Sequence, residues 1–223
     1  MTKLEHLIAE FCPDGVEHRD FFEIADFIRG VTYSKELEIH SGNGTRLLRA
    51  NNITLKTNTL NFDDVKVIDK SVRVKDSQWL KKDDILICAG SGSKDHIGKA
   101  AYIFADMDFT FGGFMAVIRT KPTLDSRFLF HILTGCRFLD YLKNALNTST
   151  INNLNAGIIE GFTVPVPPLP IQEEVVRILD KFTKLEAELE AELEAELEAR
   201  KKQYEYYRNN ILSFGVHGGG VFP

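Results

Sequence analysis

Between residues 20 and 120 the apolar positions fall into short runs: TRLLRANNITL, FDDVKVID, DDILICAG, KAAYIFAD and FMAVIRTK. Their β-branched and aromatic content, with Gly- and Asp-rich breaks between them, predicts short strands joined by variable loops. Helical spacing brackets this region. At the N-terminus Leu4, Leu7, Ile8 and Phe11 recur at helical intervals behind Thr2 and Glu5, whose separation predicts a capping box; the turn CPDG ends that helix. After the strands, LDSRFLFHILTGCRFLDYLKNAL puts Phe128, Leu129, Ile132, Leu133, Leu139 and Leu142 on one stripe, which predicts a core-packed helix.

NTSTINNLNAGIIEGFTVPVPPLP then reads as a polar loop, one short strand or turn, and a proline segment. Prolines 165, 167, 168 and 170 forbid helix up to Leu169, whereas Pro170 suits a first helical turn. From there to Phe214 the chain has no proline or glycine. One helix of about 45 residues would extend on the order of 65 Å at 1.5 Å per residue. No single small domain buries such a helix, so it needs a partner helix or another protein. The expected fold is α+β. A mixed, mostly β domain with packed helices covers 1–165 and a long coiled-coil-forming helix covers 166–214; the glycine-rich tail over 215–223 is expected to be disordered.

The helix carries a four-residue repeat over 184–199, KLEA followed by three copies of ELEA, with leucines at 185, 189, 193 and 197. Each unit advances about 6 Å and turns the helix end by about 40°, so the four leucines sweep about 120°, a stripe broader than a heptad seam. Seven glutamates lie between 186 and 198 with no lysine among them, so many i,i+4 neighbours repel. One reading is a solvated low-complexity helix; the other is a ruler whose length matters.

Composition changes the picture little: 43% apolar and 26% charged residues are those of an ordinary globular protein. The net charge of −5 argues against a simple nucleic-acid coat, but it is unevenly placed. From residue 170 onward there are seven Lys/Arg against eleven Asp/Glu, and before it twenty against twenty-one, so the near-neutral body can still present a basic face. Cysteines 12, 88 and 136 stand singly, and no apolar run approaches the roughly 20 residues of a membrane span. A cytoplasmic location is expected. Catalytic motifs fail. GSKDHIGKA has one residue too many between its glycines for a phosphate loop, and Ala100 stands where a Ser or Thr would hold magnesium. Histidines 18, 40, 96, 131 and 217 lack a paired ligand at metal spacing. Asp63-Asp64 and Asp83-Asp84 read as solvated turn acids. No nucleophile elbow and no Asn/Asp-Pro-Pro-Tyr segment appears, so the chain reads as non-catalytic with no metal of its own.

INNLNAGIIEGFTVPVPPLPIQEEVVRILDKF, followed by the acidic helix and ARKKQYEYYRNNILSF, closely resembles the specificity subunit of type I restriction-modification systems. In that family a recognition domain ends in a Pro-Pro-Leu-x-x-Gln-x-x-Ile/Val segment that opens a long helix. Here Pro167, Pro168, Leu169, Gln172, Val175 and Val176 fit that segment, and Lys201 to Arg208 fit the closing element. Ile171-Gln172 departs from the frequent Glu-Gln pair. LLRANNI and LKKDDILICAGSGSKDHIGKAAYI look like the recognition-domain strands. Family members carry two recognition domains and two helices, so this chain resembles a half-sized specificity subunit.

The resemblance implies a DNA-binding, target-recognition protein that reads double-stranded DNA and does no chemistry. It implies methyltransferase subunits, on which S-adenosylmethionine is expected, and restriction/translocase subunits as partners. A half-subunit is expected to dimerise and read one half-site twice, inverted. The partner helix would meet Ile171, Val175, Ile178, Leu179, Leu185, Leu189, Leu193, Leu197, Tyr204, Tyr207 and Ile211. Three segments carry side chains suited to base reading. They offer Arg49, Asn51, Asn52 and Lys56; then Ser91, Ser93, Lys94, His96 and Lys99; then Asn147, Thr148, Ser149, Thr150 and Asn152. TFGGFM, with Gly112 and Gly113, is expected to turn near that surface. A stand-alone DNA-binding or coiled-coil interaction protein, and an inactive truncated subunit, remain the alternatives.

Overall fold

The run ILIC at residues 85–88 is buried at every position, which a strand tolerates only if both faces of its sheet are covered. The computed structural model, which describes residues 2–39, 43–92, 96–147 and 153–213, shows what covers them. In chain order the elements begin with α1 (Lys3–Phe11), β1 (His18–Asp20), α2 (Phe21–Ile24), β2 (Ala25–Arg29), β3 (Glu38–Ile39) and β4 (Thr45–Leu48). There follow β5 (Ile53–Thr54), β6 (Thr59–Leu60), β7 (Lys66–Ile68), β8 (Ile85–Cys88), β9 (Ala100–Tyr102), β10 (Thr110–Phe111) and β11 (Met115–Thr120). The chain closes with α3 (Ser126–Thr134), α4 (Cys136–Asn147), α5 (Ala156–Glu160), β12 (Thr163–Pro165) and α6 (Leu169–Leu212).

β2, β11, β8 and β9 form an antiparallel sheet in that order, and β10, β4, β7 and β3 form a second, mixed sheet in which β10 runs parallel to β4. Two-residue periodicity splits the central strands between two cores. Ile85, Ile87, Ala116 and Ile118 meet Phe128, Leu129, Leu133, Phe138 and Leu142 of α3 and α4. Leu86, Cys88, Met115 and Val117 meet Leu48, Ile53 and Phe111 on the opposite side. The α+β class is therefore as the sequence predicts, and each of the five predicted runs holds a strand, although TRLLRANNITL is broken between β4 and β5.

Four details differ from the sequence pattern. The expected single helix after residue 125 is two helices, because the chain turns extended at Gly135, the poorest helix former in the run. Leu139 leaves the predicted stripe and is 43% exposed. α1 has its capping box, with Glu5 N–H donating to Thr2 Oγ1 at 3.2 Å, yet it buries no residue: Ile8 and Phe11 are exposed. Asp84 is no solvated turn acid. It is 1% exposed and takes two 2.8 Å bonds from Arg119 Nε and Nη2.

The chain divides into two units, 1–176 and 177–223, so the first two turns of α6 belong to the globular unit. Gln172 fixes them there. Fully buried, its Nε2 donates to Pro167 O (2.7 Å) and Thr123 O (3.2 Å), and its Oε1 accepts from Asp125 N (2.8 Å). Lys3 Nζ adds a 2.8 Å ion pair to the buried Glu174 carboxylate. In the second unit Leu185, Leu189, Leu193 and Leu197 are 49–57% exposed. Lys184–Glu188 and Arg200–Glu196 are exposed i,i+4 pairs, which stabilise little.

Candidate nucleic-acid interface

RANN, predicted as part of a strand, folds as a tight turn at 50–52 because Asn52 turns inward. Its Oδ1 accepts from Arg49 N (2.9 Å), and its Nδ2 donates to Asn61 O (3.2 Å) and Asp64 O (3.3 Å). That buried amide binds the turn to the β5–β6 hairpin and leaves Asn51 exposed and Arg49 half-exposed. Both side chains donate to Asp64 Oδ2, Arg49 Nη2 at 2.7 Å and Asn51 Nδ2 at 3.1 Å, while Arg49 Nε is buried without a hydrogen-bond partner. Tyr33 OH donates to Glu38 Oε1 at 2.9 Å, and burial together with that carboxylate pushes the phenol up to about 12.

The glycine turn after β10 comes up beside this group. Side chains fit poorly there: a Cβ on Gly30 would sit 2.1 Å from the backbone oxygen of Gly112, and one on Gly113 would sit 2.9 Å from the Thr32 side-chain oxygen. Arg29 braces the turn from below. Its Nη2 donates to Gly113 O, and its Nη1 to Asn153 Oδ1 and Leu154 O, each at 3.1 Å. Burial lowers this guanidinium's affinity for its proton. Gly90 is paired with Asn153, and Leu154 N donates to Ala89 O at 2.6 Å. The result is a cleft of about 790 Å³ lined by Tyr33, Lys35, Arg49, Asn51, Ser91 and Phe114, with glycines 90, 92, 112 and 113 exposing backbone.

Arg49 and Asn51 of the first predicted segment thus meet Ser91 of the second in one cleft, and the predicted glycine turn lines it. Among the third segment's described residues, Asn153 accepts from Arg29 and pairs with Gly90, a residue of the cleft wall. Asn52 and Lys99 lie beneath the surface: Asn52 is fully buried, and Lys99, 8% exposed, donates to Ile53 O at 3.0 Å with burial pushing its ammonium down. Lys56 and His96 are exposed outside the cleft, and Lys99 lines a second cleft of about 430 Å³ with Leu55, Asn58, Leu142 and Lys143. Asn147 is the last residue of α4; Ser93, Lys94, Thr148, Ser149, Thr150 and Asn152 lie outside the described residues. Sequence reasoning missed Arg29, Tyr33, Lys35 and Phe114. Only the aromatic after two glycines carried any local signal.

The predicted helix-contact residues divide as well. Ile171 is 3% exposed and, with Val175, packs on the globular unit's own core. Leu179, the four repeat leucines, Tyr204, Tyr207 and Ile211 are exposed, and Ile178 is partly so. Among the described residues no group of three or more His, Cys, Asp or Glu side chains is placed to hold a metal, and no helix is long and apolar enough to cross a membrane.

A family model described as "Type I restriction modification DNA specificity domain" matches residues 13–199. The specificity subunit of the type I restriction enzyme EcoKI from Escherichia coli K12 is 30% identical over 170 residues, covering 75% of this chain and 36% of that one. A putative type I specificity subunit of Haemophilus influenzae is 45% identical over 101 residues, 44% of this chain and 25% of the relative. Among solved structures, the HsdS subunit of Thermoanaerobacter tengcongensis matches with a TM-score of 0.57 at 19% identity, over 82% of this chain and 43% of that one. A chain from "Structural basis underlying complex assembly and conformational transition of the type I R-M system" matches with a TM-score of 0.65 at 20% identity, over 91% and 48%. The chain spans little more than a third of the EcoKI subunit's length and less than half of either solved chain.

Proposed function

The chain belongs to the type I restriction-modification DNA specificity family, and on that premise we propose that it is a non-catalytic subunit whose cleft at Arg49, Asn51 and Ser91 reads the bases of a DNA target. The observation that carries this reading is convergence. Three base-reading side-chain types, from two segments some forty residues apart, line one cleft beside glycines 90, 92, 112 and 113. Amide and guanidinium groups can bond bidentately to adenine and guanine edges, and a bidentate pair contributes about 1–3 kcal/mol of discrimination. Lys35 is suited to a phosphate, which positions without specifying.

In this reading α6 is the spacer between two such readers. Its exposed leucines are the surface for a second copy's helix, and two-fold symmetry gives an inverted bipartite target. Methyltransferase subunits bring S-adenosylmethionine, and restriction subunits complete the assembly.

Selection from a random duplex library by the chain with its methyltransferase tests the cleft. The wild type should enrich a bipartite motif, and Asn51→Ala or Arg49→Ala should relax it at one defined position in each half. Enrichment of the same motif with unrelaxed positions by both variants would remove the cleft as reader.

A further inference from the structure

Phe114 is 73% exposed at the rim of the cleft, yet its surroundings hold it in place. Its carbonyl accepts from Ala89 N (2.8 Å) and Gly90 N (2.9 Å), and Met115 N closes the turn onto Gly112 O at 2.7 Å. Arg29 holds the preceding carbonyl, Gly113 O, at 3.1 Å. The ring itself lies against the Gly90 backbone: a Cβ at residue 90 would sit 3.0 Å from Phe114 Cδ1. A large apolar side chain on so fixed a backbone contributes little to this chain's own core, and both cores are complete without it. Its placement is suited to an apolar partner that arrives flat.

From this geometry we propose that Phe114 is a wedge that inserts at a base step of the bound duplex and stacks on the base it exposes, with Arg29 as its positioning residue. The inference rests on the DNA-reading function of the cleft. A nucleobase offers an apolar face to the ring and a polar edge to neighbouring donors, and the cleft supplies both within one surface: Phe114 on the rim, Arg49, Asn51 and Ser91 along the wall. Inserted apolar side chains unstack and kink DNA at flexible steps, and this generates sequence preference at positions without base-edge bonds. The four glycines let the duplex approach the backbone closely enough for the ring to enter.

The test uses the chain with its methyltransferase subunits and a duplex carrying the motif methylated in cells. Phe114→Ala should weaken binding about 5- to 150-fold, the range of losing one base–aromatic stack. The salt dependence of binding should keep its slope, since no phosphate contact is lost. Phe104→Ala, which removes a comparably exposed ring (70%) away from the cleft, should leave binding unchanged. In a Trp79→Phe, Phe114→Trp double variant, the remaining indole should be quenched when the duplex binds, and 2-aminopurine at one step should brighten with wild-type protein. Unquenched indole in a complex that anisotropy shows to be formed, or Phe114→Ala binding within about twofold of wild type, overturns the wedge and leaves the cleft as reader. Failure of the wild-type complex to hold the duplex at all removes the DNA-reading function, and the wedge with it.

Discussion

Replacing Gln172 by alanine should destabilise the globular unit more than almost any other polar substitution in the chain. The amide is fully buried and makes three bonds, to Asp125 N, Pro167 O and Thr123 O, at 2.7–3.2 Å. Truncation leaves one donor and two acceptors unpaired, each worth roughly 1–3 kcal/mol when buried. A water entering the space could restore part of that, which places the loss at about 3–5 kcal/mol. For a unit of this size the melting temperature should fall by about 6–20 °C. Urea unfolding followed by circular dichroism gives the number directly, provided the slope with denaturant is unchanged. Gln172→Glu sharpens the test. It keeps the acceptor for Asp125 N but turns a carboxylate toward the carbonyls of Pro167 and Thr123, so it should be more harmful at neutral pH than in mild acid, where a carboxyl can donate one bond. A loss under about 1 kcal/mol for Gln172→Ala would refute the reasoning, because the family's glutamine would then not be what holds the helix start.

Other perturbations have equally definite outcomes. Arg119→Met leaves the buried Asp84 carboxylate without its partner and should destabilise by about 3–5 kcal/mol in the same assay, with Arg119→Lys intermediate. Tyr33 and Tyr102 are both pushed up to about 12 by burial and by their Glu38 and Asp83 partners, above the ordinary value of 10. Folding therefore favours their protonated forms, and that stabilisation is complete below pH 10 and lost as pH rises from 10 towards 12. Burial also raises the Tyr141 phenol, so ultraviolet titration should show three late-ionising phenols, one of them absent in Tyr33→Phe. Deleting Glu188 to Ala191 removes one repeat, about 6 Å of helix, and should shorten the unread spacer of the target by one to two base pairs at 3.4 Å each, without changing the bases read. Methylation mapping of the deletant checks it.

Long-period features were legible in the sequence. DDILICAG and FMAVIRTK announced strands because β-branched runs between breakers have few alternatives, and α6 because 44 helical residues hold a single proline, in the first turn. Short elements were not. β5, β6 and β10 are two residues each and exist only because a neighbouring strand supplies the bonds. The same holds for the candidate site. Arg49, Asn51 and Ser91 could be singled out by chemistry, but nothing local distinguishes Asn51, facing out, from Asn52, facing in. That difference is set by Asn61 and Asp64, which follow the adjoining hairpin. Arg29 was invisible for the same reason: its role depends on carbonyls 84 and 125 residues away along the chain.

The central claim, that this chain directs a methyltransferase to a DNA sequence, is tested most directly by co-expressing it with the methyltransferase subunit and mapping methylated adenines across the host genome by single-molecule sequencing. The account predicts an inverted two-part motif with one fixed spacer, which disappears when the chain is omitted. Absence of methylation, while the same methyltransferase is active beside another specificity subunit, would contradict it.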